Sequence, residues 1–332
     1  MKLSVLDQSV VAKGESAGDA LRKTVKLARV AEELGYTRFW VAEHHSSNGM
    51  AGSSPEILIS HIASNTSRIR VGSGGVLLPQ YSPYKIAENF NVLETLFPGR
   101  IDLGIGRSPG GAASTRLALT DGLRKSLNEF PRQLRDLQGF LNRNLPMDHP
   151  YQSVEAFPQV ADPAEMWILG ITHRGARMAA EYGTAFTYGH FITPANGKRA
   201  MDTYFSQFQP SAGLSEPKAN VCIFSVCAET QEEAEELALS QDMWLLAVGK
   251  GEDTRMISSA EAKSIQLTQE EKEIVAQNRK RMAVGTPSKI KEELQLLSEI
   301  YQTDEFMIIT NIYDFQSKLN SYRLLAEAFA LK

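Results

Sequence analysis

The feature of this sequence that most restricts its fold is an unbroken alternation of short apolar runs with longer amphipathic ones. Each short run has the length and the β-branched or aromatic content of a buried strand, and a stretch with apolar residues at helical spacing follows it. Eight strand–helix units predict an α/β fold of the (β/α)8 TIM barrel type in one domain, residues 1–332, with an open doubly wound sheet as the alternative. In chain order the short runs are LSVLD, RFWVA, RIRVG, RIDLGIG, MWILG, AFTYG, NVCIFSVCA and EFMIIT.

The amphipathic stretches predict the helices between these strands. They cover residues 20–34, 55–64, 83–96, 123–141, 174–182, 197–208, 231–248 and 314–329. Two stretches do not fit the repeat and are interpreted as insertions, about 142–164 after the fourth strand and about 249–283 after the seventh. The second is polar, and we expect a mobile lid or binding segment there, because long loops in compact domains are commonly functional.

Composition excludes several classes of function. The net charge of −4 and the pI near 5.9 argue against binding to nucleic acid or to an anionic membrane surface. No apolar run approaches the roughly 18 residues that a membrane span needs, and the opening MKLSVLDQS does not resemble a signal peptide. Cys222 and Cys227 lie at an odd separation in one predicted strand, so they face opposite sides and cannot pair. This fits a reducing compartment, and we expect a cytoplasmic protein.

A carboxylate and two adjacent histidines, Glu43, His44 and His45, follow the second predicted strand. Active sites of (β/α)8 barrels lie at the carboxyl ends of the strands, so these side chains are expected at the catalytic mouth. Polar or glycine-rich residues follow four other strands and are expected at the same mouth: Asp7, GSGG (72–75), Arg107 and Thr172.

A metal site is a weak interpretation of the histidine pair. Adjacent histidine side chains diverge, and the six histidines of the chain form no recognisable ligand set with carboxylates or cysteines. We therefore predict no metal. Two alternatives stay open from the residues alone: an acid–base catalyst, since imidazole titrates near neutrality, and a polar pair that caps a loop.

The run GIGRSPGG (104–111) has the spacing G-x-G-x-x-x-G and is not a dinucleotide fingerprint. Its Arg107 suits bidentate binding of a phosphate at the barrel mouth, with a surface salt bridge as the alternative. The run GITHRG after the fifth strand places a helix N-terminus, with free backbone N–H groups, in the same region, and Thr172 adds a hydroxyl. Together they favour a cofactor that carries a phosphate.

Four segments in register resemble the bacterial luciferase-like flavin monooxygenases, in particular their non-luminescent single-chain members. They are FWVAEHH, VGSGGVLLPQYSPYKIAENFNVLETLFPGRIDLGIGR, MWILGITHRGARMAAEYG and AVGTP. The family is a (β/α)8 barrel that binds reduced FMN, or in some branches the deazaflavin F420, at its carboxyl-terminal mouth. Light-emitting members carry a cysteine where this chain has Gly106, so bioluminescence is not implied.

The resemblance implies roles for individual residues. His44 matches the catalytic histidine beside the flavin, whereas Glu43 and His45 match supporting positions. Arg107 and Thr172 match phosphate-binding residues, and Gly74 and Gly75 match a non-proline cis peptide behind the flavin ring. Where the family often has Gly-Ser-Ser, this chain has Gly170, Ile171 and Thr172. Cofactor binding there is expected to involve Ile171, Thr172 and His173, more through the backbone, together with Arg174.

The same resemblance implies the partners. We expect an FMN-dependent monooxygenase that receives reduced FMN from a separate flavin reductase and uses O2 on a small-molecule substrate. An F420-dependent hydride-transfer enzyme and a non-catalytic flavin-binding relative are the alternatives. A homodimer is expected through the second and third helices, with PEILISHIAS (55–64) at the interface and Ile57, Leu58, Ile62 and His61 as contacts.

Overall fold

The computed structural model describes residues 1–108 and 110–332, and within them eight parallel strands close into a barrel. The last strand of the barrel pairs with both the first and the seventh, which leaves no open edge. The predicted (β/α)8 fold is confirmed, and the open sheet is excluded. The strands are β1 Lys2–Asp7, β2 Arg38–Val41, β3 Arg70–Ser73, β4 Val76–Leu77, β5 Ile101–Gly106, β6 Glu165–Gly170, β7 Ala185–Gly189, β8 Ala219–Cys227, β9 Met282–Gly285 and β10 Glu305–Ile309.

Two of these strands lie outside the barrel wall. The short β4 pairs with the end of β5, and β9 extends the sheet beside the end of β8. The barrel order is therefore β1-β2-β3-β5-β6-β7-β8-β10. The sequence did not predict β9, because four residues of MAVG carry too weak a periodicity to be distinguished from a loop.

Helices surround the barrel, and most of them bury an apolar face against it. The helices are α1 Ala17–Glu33, α2 Pro55–Ser64, α3 Pro83–Leu96, α4 Ala113–Leu119, α5 Phe130–Asn142, α6 His173–Glu181, α7 Gly197–Gln207, α8 Gln231–Lys250, α9 Ser259–Ser264, α10 Gln269–Arg279, α11 Pro287–Tyr301 and α12 Phe315–Ala328. The bounds predicted for α2 and α3 are confirmed. Each helix begins with proline at its first position, which marks the start clearly in the sequence. No helix in the described part of the chain is long and apolar enough to cross a membrane.

The segment 249–283 differs from its prediction as a mobile loop. It contains α9 and α10, and α10 is held to α8 by a bidentate ion pair of Arg279 with Asp242, at 2.6 and 2.7 Å. The segment 143–164 has no helix or strand. Asn91 of α3 fastens it by donating to the carbonyl of Ala156 at 3.3 Å.

Strand alternation separates the barrel interior from the layer under the helices. Cys222 packs with Trp40, Trp167 and Met307 inside the barrel, whereas Cys227 belongs to the core between barrel and helices. The prediction that the two cysteines face opposite sides is confirmed, and both are free thiols.

Candidate active site

A cavity of about 690 Å³ opens at the carboxyl ends of the barrel strands. This volume lies within the usual range for ligand and cofactor sites. Most of its wall is apolar, and its polar side chains come from loops that follow different strands. The predicted site residues that line it are Glu43, His44, His45, Gly74, Gly75, Arg107, Ile171, Thr172 and Arg174. His173 is not among the lining residues.

Glu43 and His45 contact each other, the end of β4 and the chain that follows it. The buried Glu43 carboxylate accepts from His45 Nε2 at 2.7 Å, from the Tyr81 hydroxyl at 2.5 Å and from the backbone N–H of Leu77 at 2.9 Å. Because a carboxylate only accepts, His45 carries its proton on Nε2. These bonds fix the loop after β2 against the wall of the cavity and leave His44 as the histidine without such a partner.

His44 has a different environment from its neighbour. Its backbone N–H donates to the carbonyl of Gly52 at 2.8 Å, which orients the residue at the cavity wall. Its Nδ1 is buried and has no hydrogen-bond partner among the described residues. Burial, with a smaller contribution from His45, lowers the pKa of His44 to about 4. His44 is therefore neutral at pH 7 and able to accept a proton.

Buried neutral histidines make stability depend on pH. Burial lowers the pKa of both His44 and His190 to about 4, from an ordinary 6.5. Between pH 6.5 and 4 the unfolded chain therefore binds protons that the native state does not. The free energy of unfolding is highest above pH 6.5 and decreases as the pH falls towards 4. Thermal unfolding between pH 7.5 and 5 should show a falling midpoint. A His44→Asn variant should show a shallower fall, and an unchanged slope would contradict the assignment.

The peptide bond between Gly74 and Gly75 is cis, as predicted. Neither position has room for a side chain: a Cβ on Gly74 would lie 2.5 Å from Leu6 Cδ1, and one on Gly75 would lie 2.8 Å from the carbonyl oxygen of Gly104. Both glycines line the cavity. The chain therefore presents bare backbone there, against which a flat group can pack closely.

Two arginines and a helix N-terminus form the end of the cavity that follows β5 and β6. Arg107 and Arg174 make no ion pair with any described residue. The described residues therefore give no support to the alternative that Arg107 forms a surface salt bridge. Thr172 caps α6 by accepting from the backbone N–H of Gly175 at 3.3 Å. The free N–H groups and positive dipole end of α6 add to the two guanidinium groups, and this combination is suited to a phosphate.

Two predicted positions are corrected. Successive residues of a helix point about 100° apart, and at the start of α6 it is Arg174 and Gly175 that reach the cavity, whereas the His173 side chain does not.

Asp7 is the second corrected position, because its side chain does not lie at the mouth. Its carboxylate accepts from Lys318 Nζ at 2.6 Å and from the Thr24 hydroxyl at 2.5 Å, under the helices. Strand alternation instead turns Leu6 and Gln8 towards the cavity.

The beginning of the 249–283 segment covers the loops that follow β1 and β2. Asn48 Nδ2 donates to Asp253 Oδ1 at 3.0 Å, and the backbone N–H of Met256 donates to the carbonyl of Val11 at 2.9 Å. The approach is so close that a Cβ on Gly49 would lie 2.0 Å from the carbonyl oxygen of Thr254. The segment is thus attached to the loop that carries His44.

Comparison with known proteins identifies the family. Residues 1–303 match the sequence model of the luciferase-like monooxygenases. The chain belongs to this family. Among Bacillus subtilis (strain 168) proteins, YceB is 53% identical, with 98% of this chain and 99% of YceB covered. N-acetyl-S-alkylcysteine monooxygenase of the same strain is 37% identical, with 99% and 98% covered. The crystal structure of apo-MsnO8 has a TM-score of 0.91 and 35% identity, and covers 100% of this chain and 99% of MsnO8.

Membership in the luciferase-like monooxygenases makes the chain an oxidoreductase. More distant solved structures share the fold alone. One is the oxygenating constituent of 3,6-diketocamphane monooxygenase from Pseudomonas putida in complex with FMN, at 20% identity and a TM-score of 0.71, with 98% and 97% covered. Another is an F420-dependent secondary alcohol dehydrogenase with an F420-acetone adduct, at 13% identity and a TM-score of 0.70, with 98% of each chain covered.

Proposed function

We propose that this luciferase-like enzyme is an FMN-dependent monooxygenase, which receives reduced FMN from a separate flavin reductase and uses O2 to oxygenate a small organic substrate. One observation carries the proposal. A single cavity combines a phosphate-binding end, formed by Arg107, Arg174 and the start of α6, with a bare glycine wall and a neutral histidine. A flavin mononucleotide has a phosphate, a flat ring and a reactive edge in that order.

The residues of the cavity fit this group. Arg107, Arg174 and the N-terminus of α6 would hold the phosphate, and Gly74 and Gly75 would lie against the ring. Bound reduced FMN would supply the electrons that activate O2. His44 would move a proton at the cavity, since its buried Nδ1 has no partner among the described residues and its lowered pKa keeps the imidazole neutral. The mostly apolar wall would keep water away from the reaction.

The F420 alternative would use the same mouth. It is supported only by distant structures that share the fold, whereas a relative that is 37% identical over nearly the whole chain is named as a monooxygenase. We therefore favour FMN with O2. The name of that relative also makes an N-acetyl-S-alkylcysteine the first compound to assay as a substrate.

The phosphate assignment is tested by comparing FMN with riboflavin. FMN should bind more tightly, and Arg107→Ala should weaken FMN binding by about 10- to 100-fold, the value of hydrogen bonds to a charged group. Riboflavin affinity should change little. The matched control is Arg177→Ala, an exposed arginine of α6 that does not line the cavity. Equal affinity of the wild type for FMN and riboflavin, measured by fluorescence titration, would overturn the assignment.

We also propose a homodimer through α2 and α3. Ile57 is 74% exposed, and Leu96 and Val92 of α3 are 59% and 44% exposed. The sequence assigned Leu58 and Ile62 to the interface as well, but both are buried in the core of the protomer. Light scattering should give twice the 36.7 kDa mass of the chain, and Ile57→Asp should shift the protein towards monomer. A wild-type monomer at micromolar concentration would contradict the dimer.

A further inference from the structure

Two buried amide side chains meet at the edge of the cavity. Gln8 follows β1, lines the cavity and is 7% exposed, and Asn311 follows β10 and is 2% exposed. Asn311 Nδ2 donates to Gln8 Oε1 at 3.0 Å. Burying amide groups in a largely apolar wall is unfavourable unless their hydrogen bonds are satisfied. Asn311 Oδ1 is fully enclosed and has no partner among the described residues, so the atom of this pair that can meet a ligand is the amide nitrogen of Gln8.

The bond to Asn311 leaves the amide nitrogen of Gln8 available. This nitrogen has no acceptor among the described residues, and it is not one of the fully enclosed polar atoms. Because the oxygen of Gln8 is occupied, the amide presents a hydrogen-bond donor rather than an acceptor. The strands beside Gln8 also contribute apolar residues to the cavity wall, Leu6 from β1, Trp40 from β2 and Met307 from β10.

The position of Gln8 separates it from the phosphate-binding end. In the ring of eight barrel strands, β1 and β10 lie directly across from β6 and β5, which carry Thr172 and Arg107. Gln8 is instead next to the loop after β2 that carries His44. A cofactor held by its phosphate at β5 and β6 therefore leaves Gln8 beside the reacting region, where a second molecule has to bind.

We propose that Gln8 determines substrate specificity: its amide nitrogen donates to a carbonyl or amide oxygen of a substrate whose remaining surface is apolar, and Asn311 holds it in that orientation. The inference rests on the proposed function, because it assigns this end of the cavity to the substrate. A site built to donate a hydrogen bond discriminates strongly against an analogue that lacks the acceptor, since the buried donor is then left unpaired.

The test compares two probes that differ only at the acceptor, 2-nonanone and its methylene isostere 2-methyl-1-nonene. Their binding is measured by calorimetry, both in the presence and in the absence of FMN. The wild type should prefer the ketone by about tenfold, as expected for one buried hydrogen bond. Gln8→Met removes the donor and should abolish the preference. In Gln8→Glu one carboxylate oxygen still accepts from Asn311, but the other presents an acceptor to the cavity instead of a donor. This variant should therefore bind the ketone more weakly than the wild type does. The control is the same exchange at an exposed position, Gln277→Met.

The outcomes separate this inference from the proposed function. Failure of the wild type to bind FMN would overturn the proposed function, whereas the ketone preference is read independently of FMN. Gln8 could instead serve only to join β1 to β10. In that case Gln8→Met would lower the thermal midpoint and leave the ketone preference intact, and this result would overturn the inference. A wild type that does not distinguish the two probes would overturn it as well. If Gln8→Met does not fold, the Gln8→Glu result decides.

Discussion

Replacing His44 with alanine is expected to lower oxygen-dependent turnover at saturating reduced FMN by about 10²- to 10⁴-fold, the usual contribution of a positioned acid–base group. FMN affinity should change little, because His44 follows β2 and is not one of the residues assigned to the phosphate, which follow β5 and β6. His44 is neutral at pH 7 and has no protein partner at Nδ1 among the described residues, so its removal breaks no hydrogen bond of that ring atom. The loss should therefore appear in turnover rather than in folding.

His45→Ala is the matched control for this prediction. His45 donates to the buried Glu43 carboxylate, which also holds Tyr81 and the backbone of Leu77. Its loss should mainly lower the free energy of unfolding and disorder the loop, with a smaller kinetic effect. Turnover of the two variants can be compared on any substrate that the wild type oxygenates. An inactive His45→Ala with a nearly normal His44→Ala would reverse the roles of the two histidines.

Replacing Arg38 with methionine is expected to lower the free energy of unfolding by about 3–5 kcal/mol, the usual cost of removing one partner from a buried ion pair. Arg38 lies inside the barrel and donates to Asp102 and Glu305, each at 2.8 Å, and its guanidinium lies 4.6 Å from the ring centre of Trp167. Burial alone would raise the pKa of Asp102, but Arg38 and Arg70 hold it below its ordinary value. Without Arg38, buried Glu305 loses its ion-pair partner, and buried Asp102 keeps only Arg70, at 2.6 Å.

Urea unfolding measures this effect, with Arg22→Met as the control. Arg22 pairs with Asp19 on the surface, where its side chain is 74% exposed, and such pairs contribute little to stability. FMN affinity of folded Arg38→Met should stay near that of the wild type, because Arg38 lies at the amino-terminal end of the barrel. A loss of stability no larger than that of Arg22→Met would contradict the importance of the buried cluster.

The local periodicity of the sequence was sufficient to predict the barrel and the ends of α2 and α3, but it did not predict α11, which also begins with proline. It was not sufficient where contacts between residues distant in the sequence determine the structure. The helix α10 is polar on most of its surface and packs on α8 through Arg279 and Asp242, which lie 37 positions apart. A polar segment without a continuous apolar stripe was therefore interpreted as a loop.

In the candidate site, too, local patterns predicted some positions, whereas others depend on long-range contacts. Strand alternation placed Cys222 and Cys227 on opposite sides, and the same rule, applied from Leu6 at β1, predicts that Gln8 faces the cavity and Asp7 does not. The sequence interpretation used only the position of Asp7 at the strand end and so misplaced it. The bond from Tyr81 to Glu43 joins residues 38 positions apart, and no local pattern indicates it. Roles that depend on such partners require the folded chain.

The central claim, that the mouth of this barrel holds reduced FMN for reaction with O2, is tested most directly by an anaerobic titration with reduced FMN and, separately, with reduced F420. Oxygen is then admitted to the saturated protein in the presence of a candidate substrate. We expect saturable binding of reduced FMN, weaker binding of reduced F420, and consumption of oxygen by the FMN-loaded enzyme. Saturable binding of reduced F420 without binding of reduced FMN, and substrate turnover that proceeds without oxygen, would contradict it.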